Sequence, residues 1–231
     1  TNGGVNWLQQ TTGVSDNLNN VQFINTNTGW ASGPNGYNLK TTNGGTNWFS
    51  QPTGLASGIL VFFCYANTGF GCSGGGTIVK TTNGGANWVS QVSGTTEFLT
   101  DLYFINNNTG WISGFSGVIL STTNGGTNWT QQSSGSGNDF YSITFANSLT
   151  GWAVGVGGTI SRTTNGGVNW TNQTSPVSDD LLSAFFTSSS TGWITASNGV
   201  ILSSTNSGVN WSQQSTPVTA SLNSVAFSGY Y

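Results

Sequence analysis

Hydrophobic and polar positions alternate along the chain in short runs, and the runs repeat. The first run of each repeat has an apolar residue, any residue and a phenylalanine, as in Val21 to Phe23 and Leu102 to Phe104. A polar turn, a second run such as Trp152 to Gly155, a glycine-rich turn and a third run with an isoleucine follow. Alternation over four to six residues between glycine and asparagine turns predicts β-strands. Because no 3.6-residue periodicity is sustained, the sequence predicts an all-β chain.

A recurring box, Thr-Thr-Asn-Gly-Gly-x-Asn-Trp, divides the chain into repeats of 40 or 41 residues. Its asparagines are Asn2, Asn43, Asn83, Asn124, Asn165 and Asn206. The tryptophans that end the boxes are Trp7, Trp48, Trp88, Trp129, Trp170 and Trp211. Four short strands in a unit of about 40 residues are the sequence signature of a β-propeller blade. We therefore predict a single β-propeller domain over residues 1–231.

The repeats predict five full blades and part of a sixth. Thr1 corresponds to Thr42, inside a box, and Tyr231 comes just after a predicted first strand. In a closed six-bladed ring, the next box tryptophan would coincide with Trp7, and residues 232–245 would be absent. We expect the sixth blade to be shared by the N- and C-terminal strands. The chain is then either a piece of a longer polypeptide or a protein whose gap is filled by strands of a neighbouring molecule. A seven-bladed ring would lack one more unit.

The box resembles the Asp-box, or bacterial neuraminidase repeat, whose pattern is Ser/Thr-x-Asp-x-Gly-x-x-Trp. The segment Thr41 to Trp48 fits this pattern with Asn43 in place of the aspartate. The Thr-Gly-Trp run upstream makes the repeat similar to the propellers of the photosystem II assembly factor family. The resemblance implies a structural turn between third and fourth strands. In such a turn a polar side chain accepts backbone N–H bonds, glycine supplies positive φ, and tryptophan packs between blades.

Composition excludes several functions. The chain has 3 basic and 6 acidic residues and no histidine, with a formal net charge of −3. Without histidine there is no His-based triad, His metal site or His pH switch. Three basic residues cannot neutralise a nucleic-acid backbone, and no run of about 18 apolar residues is present to span a membrane. The sequence marks no cofactor and no metal site.

Enzymatic activity is also not predicted. Sialidases of related folds need an arginine triad, and this chain has only Arg162, which excludes that activity. A glycosidase needs two carboxylates beside the sugar bond. Six acids leave that activity open, although no motif marks a pair. The assembly factors are expected to hold their client on a basic patch, which Lys40, Lys80 and Arg162 do not provide.

The acids and the aromatic residues outside the repeat positions are the candidate ligand-binding residues. Each acid falls between a repeat glutamine and the next first-strand phenylalanine, which predicts a place on or near the top face: Asp16, Glu97, Asp101, Asp139, Asp179 and Asp180. The candidate aromatic residues of the top loops are Tyr37, Phe98, Phe115, Phe140 and Tyr141. The acidic face would bind a cation or a polar ligand. The other interpretation is that exposed loops collect charges.

Cys64 and Cys72 flank the first turn of the second repeat. With Thr68 at the centre of that turn, the two cysteines would face each other on neighbouring strands. We expect a disulfide there, in keeping with an oxidising compartment. The alternative is two small buried residues.

Together these features favour a non-catalytic structural, adhesive or assembly module. We expect an extracellular or cell-surface location. Its partners would be other protein chains, through self-association or assembly at a surface, or surface glycans. The alternative function is a lectin with glycan sites repeated around the ring.

Overall fold

The computed structural model describes residues 5–227, so that Asn2 lies outside the described residues. Twenty short strands in this range form five four-stranded sheets, and in each sheet the strands follow chain order. The bounds are β1 (Asn20–Phe23), β2 (Gly29–Ser32), β3 (Asn38–Thr41), β4 (Phe49–Ser50), β5 (Leu60–Phe63), β6 (Gly69–Cys72), β7 (Ile78–Thr81), β8 (Val89–Gln91), β9 (Leu99–Phe104), β10 (Gly110–Gly114), β11 (Ile119–Thr122), β12 (Thr130–Gln132), β13 (Phe140–Phe145), β14 (Gly151–Gly155), β15 (Thr159–Thr163), β16 (Thr171–Gln173), β17 (Leu181–Phe186), β18 (Gly192–Ala196), β19 (Ile201–Ser204) and β20 (Ser212–Gln214). The predicted all-β propeller fold is confirmed, with one sheet for each of five blades.

The contacts divide the chain into two compact units. Unit 1 comprises Thr1–Gly71 and Val79–Val89, and unit 2 comprises Cys72–Ile78 and Ser90–Tyr231. Unit 1 has a core cluster that includes Trp30, Val61 and Phe63. Unit 2 has clusters built around the second-strand tryptophans of its blades, Trp111 and Trp152. In both units the core is formed by apolar residues of the first, second and third strands.

Neighbouring blades are joined by stacked aromatic rings. In unit 2, Trp111 of β10 stacks on Phe145 of the next blade at 3.6 Å and 15°. Its indole N–H donates to the carbonyl of Gly166, in the box turn of that next blade, at 3.0 Å. The box tryptophan Trp170 meets the same phenylalanine edge-on at 5.9 Å. Phe145 therefore lies between two tryptophans, as Phe186 of the following blade does, and this arrangement accounts for the recurrence of both aromatic positions in the sequence.

The glycine that begins each second strand recurs in every repeat for a steric reason. Gly151 pairs with Phe145 across β13 and β14, and a Cβ added to this glycine would lie 2.5 Å from the phenylalanine ring. Gly29 stands in the same relation to Phe23. The glycine is needed because the ring lies flat over the backbone of the neighbouring strand, a close approach that only a residue without a side chain allows.

The box turns have the same hydrogen bonds in all five sheets. In the fourth, the Thr163 hydroxyl accepts the N–H of Gly167 at 2.9 Å and donates to Asn165 Oδ1 at 3.0 Å. Asn165 Oδ1 also accepts the N–H of Asn169 at 2.9 Å. An asparagine carbonyl thus takes the place of the Asp-box carboxylate, as its acceptor capacity allows.

The segments that would form a sixth blade contain no strand among the described residues. Residues 5–19 are strandless, and Trp7 is 88% exposed. Residues 222–227 are also strandless but lie where a first strand would lie. The N–H of Val225 donates to Ser183 Oγ, and Phe227 packs over Trp193 at 4.3 Å. The sixth blade and the single 1–231 domain stay predictions.

The cysteines are free thiols, and the expected disulfide is absent from the structure. The Cys64 N–H donates to the Thr68 carbonyl, which centres the turn on Ala66 rather than on Thr68. Cys72 is then four residues too far along β6 to face Cys64. Burial raises the pKa of the Cys64 thiol to about 12 and that of Cys72 well above its ordinary value. Cys72 is a small buried residue, as in the alternative interpretation, and Cys64 is half-buried.

Between residues 5 and 227, the structure has no helix with the length and apolar character needed to cross a membrane.

Candidate functional site

The turns between second and third strands form one edge of the sheets in unit 2. These tip turns are Phe115–Gly117, Val156–Gly158 and Ser197–Gly199, each a single 3-10 turn. The central residue of each has positive φ, as Ser116 does at 55°. Each tip turn is fastened to the loop that precedes the first strand of its own blade. The N–H of Phe115, for example, donates to the carbonyl of Phe98 at 2.8 Å.

Two aspartates connect neighbouring tip turns. The Asp139 carboxylate accepts the N–H of Ser116 at 2.8 Å, and its backbone carbonyl accepts the N–H of Val156 at 3.0 Å. In the next blade, the Asp180 carboxylate accepts the N–H of Gly157 at 2.9 Å. Because these residues hold the turns of two blades at once, they fix the spacing of the loops on this edge.

Two further acids lie on the same edge. Glu97 Oε2 accepts the hydroxyl of Ser116 at 3.2 Å, beside Asp139. Asp179 Oδ1 accepts the side-chain amide of Asn198 at 2.8 Å. Four of the six acids named from the sequence therefore gather along the tip turns of unit 2, and their described partners are neutral donors.

Three aromatic rings follow the same edge, and we call them the aromatic row: Phe98, Phe115 and Tyr141. Phe98 and Phe115 are stacked at 5.2 Å and 29°, and Phe115 and Tyr141 meet edge-on at 6.4 Å. Phe98 is 49% exposed, although its ring lies against Gly74, where a Cβ would come within 3.0 Å. Burial raises the pKa of Tyr141, and the charges of Asp180 and Asp139 raise it further. The row is therefore partly open to solvent, rigidly supported and bordered by negative charge.

The remaining predicted ligand residues lie elsewhere. Asp16 is exposed in the strandless segment of unit 1, and Tyr37 is part of the turn after β2, also in unit 1. Asp101 is in β9, where its carboxylate accepts the N–H of Ile143 at 2.9 Å and of Leu102 at 2.8 Å. Burial raises the pKa of Asp101 to about 6.

Phe140 is buried, and the prediction that it faces a ligand is wrong. It is 0% exposed and belongs to the core cluster with Trp111 and Phe145. The repeat register contains the signal that was missed, since Leu99 and Leu181 occupy the equivalent first position of β9 and β17 and are equally buried. Ser116, by contrast, was not predicted, because a neutral serine in a turn gives no signal of two carboxylates converging on it.

Unit 2 also has an open groove in the segment that precedes the row in the chain. It has a volume of about 570 Å³ and is lined by Gly75, Gly76 and residues 91–96, so that it ends one residue before Glu97. Within the described range, no group of three or more Cys, Asp or Glu residues is arranged to hold a metal ion. The edge thus offers rings, carboxylates and a shallow channel as recognition elements.

The sequence matches the family described as photosynthesis system II assembly factor YCF48 over residues 88–172 and 134–222. These matches together span residues 88–222, more than half of the chain. The chain belongs to this family. The resemblance seen in the repeats is thereby confirmed, and an assembly module is the class of function that the family supports. No curated protein matched the sequence.

Solved structures show the same fold at low identity. YCF48 from Cyanidioschyzon merolae is 19% identical, with a TM-score of 0.71 over 87% of this chain and 74% of that one. A structure described as YCF48 bound to D1 peptide is 20% identical, with a TM-score of 0.50 over 90% and 83%. The GH74 enzyme of Niastella koreensis is 21% identical, with a TM-score of 0.64 over 86% of this chain and 31% of the enzyme. The fold is thus shared by assembly factors and by enzymes.

The expected extracellular or cell-surface location is wrong. The family is described as a photosystem II assembly factor, a role inside photosynthetic cells. A surface with few charges and many Ser, Thr, Asn and Gly residues is a property of the folded chain and does not specify a compartment.

Proposed function

We propose that this chain is a non-catalytic assembly module that holds a segment of another protein on the aromatic row. The observation that carries the proposal is the row itself, three neighbouring rings on one edge of unit 2 with Phe98 half exposed. Aromatic side chains on a supported surface supply much of the binding energy at protein interfaces. Membership of an assembly-factor family supports a protein as the ligand.

A peptide segment is the form of ligand that the fold and the groove support. The groove along residues 91–96 is open and shallow, which suits an extended chain. A YCF48 structure is described as bound to D1 peptide, so a propeller of this family is able to take a peptide. Loops carried on a rigid β-scaffold are the usual place for such recognition.

Two of the three basic residues pack against aromatic rings of unit 1, which argues against a basic patch that binds a ligand. Lys40 Nζ lies 5.2 Å from the ring of Trp30 and donates to the carbonyl of Gly84 at 3.3 Å. Lys80 Nζ lies 5.4 Å from the ring of Phe70. These cations cover second-strand aromatic residues, a packing role that cation–π attraction stabilises. The ligand surface is therefore sought among the rings of unit 2.

The carboxylates on the edge support a non-catalytic role. Asp139 and Asp180 each accept a backbone N–H of a tip turn, and Glu97 accepts a hydroxyl. These bonds fix loops in place, as structural carboxylates do. A glycosidase would instead need two carboxyl groups directed at a common sugar bond.

Binding to short overlapping peptides that cover the photosystem II core proteins tests this function. The wild-type chain is compared with a Phe98→Ala, Phe115→Ala double variant. Val168→Ala serves as a matched control, since Val168 is an exposed apolar residue of unit 2 in a box turn. We expect the double variant to lose about tenfold or more in affinity and the control to bind as the wild type does.

A glycan array and a hydrolysis assay on soluble polysaccharides are run in parallel with the same proteins. Glycan binding that depends on Phe98, without peptide binding, would replace the proposal by a lectin function. Hydrolysis by the wild-type chain would overturn its non-catalytic part. Peptide binding that the double variant retains would place the ligand elsewhere on the molecule.

A further inference from the structure

Carboxylates and rings alternate along the aromatic row. Glu97 directly precedes Phe98, and its carboxylate reaches the hydroxyl of Ser116. Asp139 is bonded to the backbone of the same serine, which follows Phe115 in the chain. At the far end of the row, burial raises the pKa of Tyr141, and the charges of Asp180 and Asp139 raise it further. Each ring therefore has a negative group beside it.

Positive charge is scarce in the unit that carries the row. Unit 2 contains five acids, Glu97, Asp101, Asp139, Asp179 and Asp180, and one basic residue, Arg162. Arg162 is in β15, one residue before Thr163 of the box, whereas the tip turn is at the other end of that strand. The row is thus an apolar surface in a negative field, at the opposite end of its sheet from the unit's basic residue.

We propose that the protein segment held on the aromatic row is cationic, with Lys or Arg side chains over the rings and against the carboxylates. This inference rests on the proposed function and adds the charge of the partner to it. A cation over an aromatic face is attracted by the ring, and a nearby carboxylate adds to that attraction. An acidic segment would bring like charges together, and a purely apolar segment would take the carboxylates out of water with only neutral hydrogen-bond donors beside them, which is costly.

The spacing of the row fits an extended segment. Neighbouring ring centroids are 5.2 Å and 6.4 Å apart. Alternate side chains of an extended chain lie about 6.6 Å apart on the same side. Basic residues at alternate positions would therefore meet successive rings, while the residues between them face solvent. The groove lined by residues 91–96, which directly precede Glu97 in the chain, gives the segment room to continue.

Three dye-labelled peptides of equal length test the charge, with Lys, Gln or Glu alternating with Ser. Their binding is measured by fluorescence anisotropy at low and high salt. The site variant is Glu97→Gln, Asp139→Asn, Asp180→Asn, which removes three charges but keeps an oxygen acceptor at each position. The matched control is Asp16→Asn, an exposed acid of unit 1. Circular dichroism and thermal melting establish that each variant is folded, and single Asp180→Asn replaces the triple variant if that one is not.

We expect the Lys peptide to bind at least about tenfold more tightly than the Gln peptide, and the Glu peptide to bind least. The site variant should lose about tenfold or more for the Lys peptide and little for the Gln peptide, and Asp16→Asn should change neither. Added salt should weaken the Lys peptide most, because part of its attraction is screened.

The outcomes separate this inference from the function it rests on. Equal binding of the Lys and Gln peptides, both lost in Phe98→Ala, Phe115→Ala, would overturn the cationic partner and leave the peptide-binding function standing. Lys-peptide binding that the site variant retains would also overturn the inference. If neither these peptides nor the photosystem II peptides bind, both the inference and the proposed function fall.

Discussion

Asp101 is an acid that the fold turns inward, and its environment makes stability depend on pH. Burial raises the pKa of its carboxyl from an ordinary 3.8 to about 6, against the opposing effect of bonds from Ile143, Ser142 and Leu102. The folded protein therefore holds the proton more tightly than the unfolded chain. This contribution to stability is complete below about pH 4 and is lost as the pH rises through about 6. A shift of about two pKa units corresponds to about 2 to 3 kcal/mol.

We expect Asp101→Asn to remove this part of the pH dependence. The amide keeps an oxygen that can accept the N–H of Ile143 but does not ionise. Melting temperatures measured from about pH 4 to pH 7 should fall less steeply for the variant than for the wild type. Asp16→Asn, which neutralises an exposed acid, should keep the wild-type slope. Parallel curves for wild type and Asp101→Asn would show that the carboxyl ionises as freely in the fold as outside it.

At the scale of single residues, the sequence identified candidate residues better than it predicted whether their side chains face solvent or the core. The acids and rings that lie near the tip turns were named from the sequence, and their role in ligand binding stays a prediction. Phe140 and Asp101 were placed with them because both fall in the same stretch between repeats, where strand β13 or β9 in fact begins. Successive residues of a strand point to opposite faces of the sheet, so whether such a residue faces solvent or the core depends on where the strand begins. The sequence does not give that starting residue.

At the scale of the element, the box turn depends on one hydroxyl. Thr163 is 1% exposed, and its Oγ1 accepts the N–H groups of Gly167 and Asn165. Thr163→Val keeps the shape but leaves both donors without this acceptor. We expect a loss of about 1 to 3 kcal/mol in the free energy of unfolding, measured by denaturant titration.

Thr163→Ser is the matched control for the box turn, because the box of the fifth sheet already uses Ser204 with the same three hydrogen bonds. The serine variant should lose less than about 1 kcal/mol. If valine and serine destabilise the protein equally, packing of the threonine methyl group, rather than the hydroxyl, would be what stabilises the turn.

The strands could be predicted from the sequence, but the pairing of residues across neighbouring strands could be predicted only in part. Alternation and the box spacing predicted the strands of the five sheets. The turn of the β5–β6 hairpin was misplaced by two residues, since the loop Cys64–Thr68 gives no Gly or Pro to mark its centre. That error alone produced the disulfide expected between Cys64 and Cys72.

At the scale of the whole molecule, the order of the repeats could be predicted from the sequence, but the cellular location could not. Identical spacing along the chain implies identical contacts between successive units, so the five four-stranded sheets followed from the register, while the sixth blade stays a prediction. The location did not, because composition reflects how the surface is solvated. The sequence named the acids and rings of the candidate edge one by one but not their arrangement. The rings of that edge come from residues 98, 115 and 141, which converge only through the turns that join three strands.

The repeats also predict how stability is distributed between neighbouring blades. In repeat proteins each unit is stabilised mainly by its neighbours. Trp111 lies between two blades of unit 2, is 2% exposed, stacks on Phe145 and bonds to Gly166. Trp193 is partly exposed and packs over Phe227, in a segment that forms no strand. The two tryptophans occupy the same repeat position with different numbers of neighbours.

We expect Trp111→Ala to cost about 3 to 5 kcal/mol in the free energy of unfolding and Trp193→Ala clearly less, as measured by denaturant titration. Trp111→Phe is the control that the chain itself suggests, since Phe70 occupies this position in the second repeat and is fully buried. It keeps an aromatic stack and removes one indole N–H bond, which should cost about 1 kcal/mol beyond the change in ring size. Equal losses for the two alanine variants would mean that residues 222–227 hold their blade as firmly as a complete neighbour does, so that the C-terminal segment would already serve as a sixth first strand.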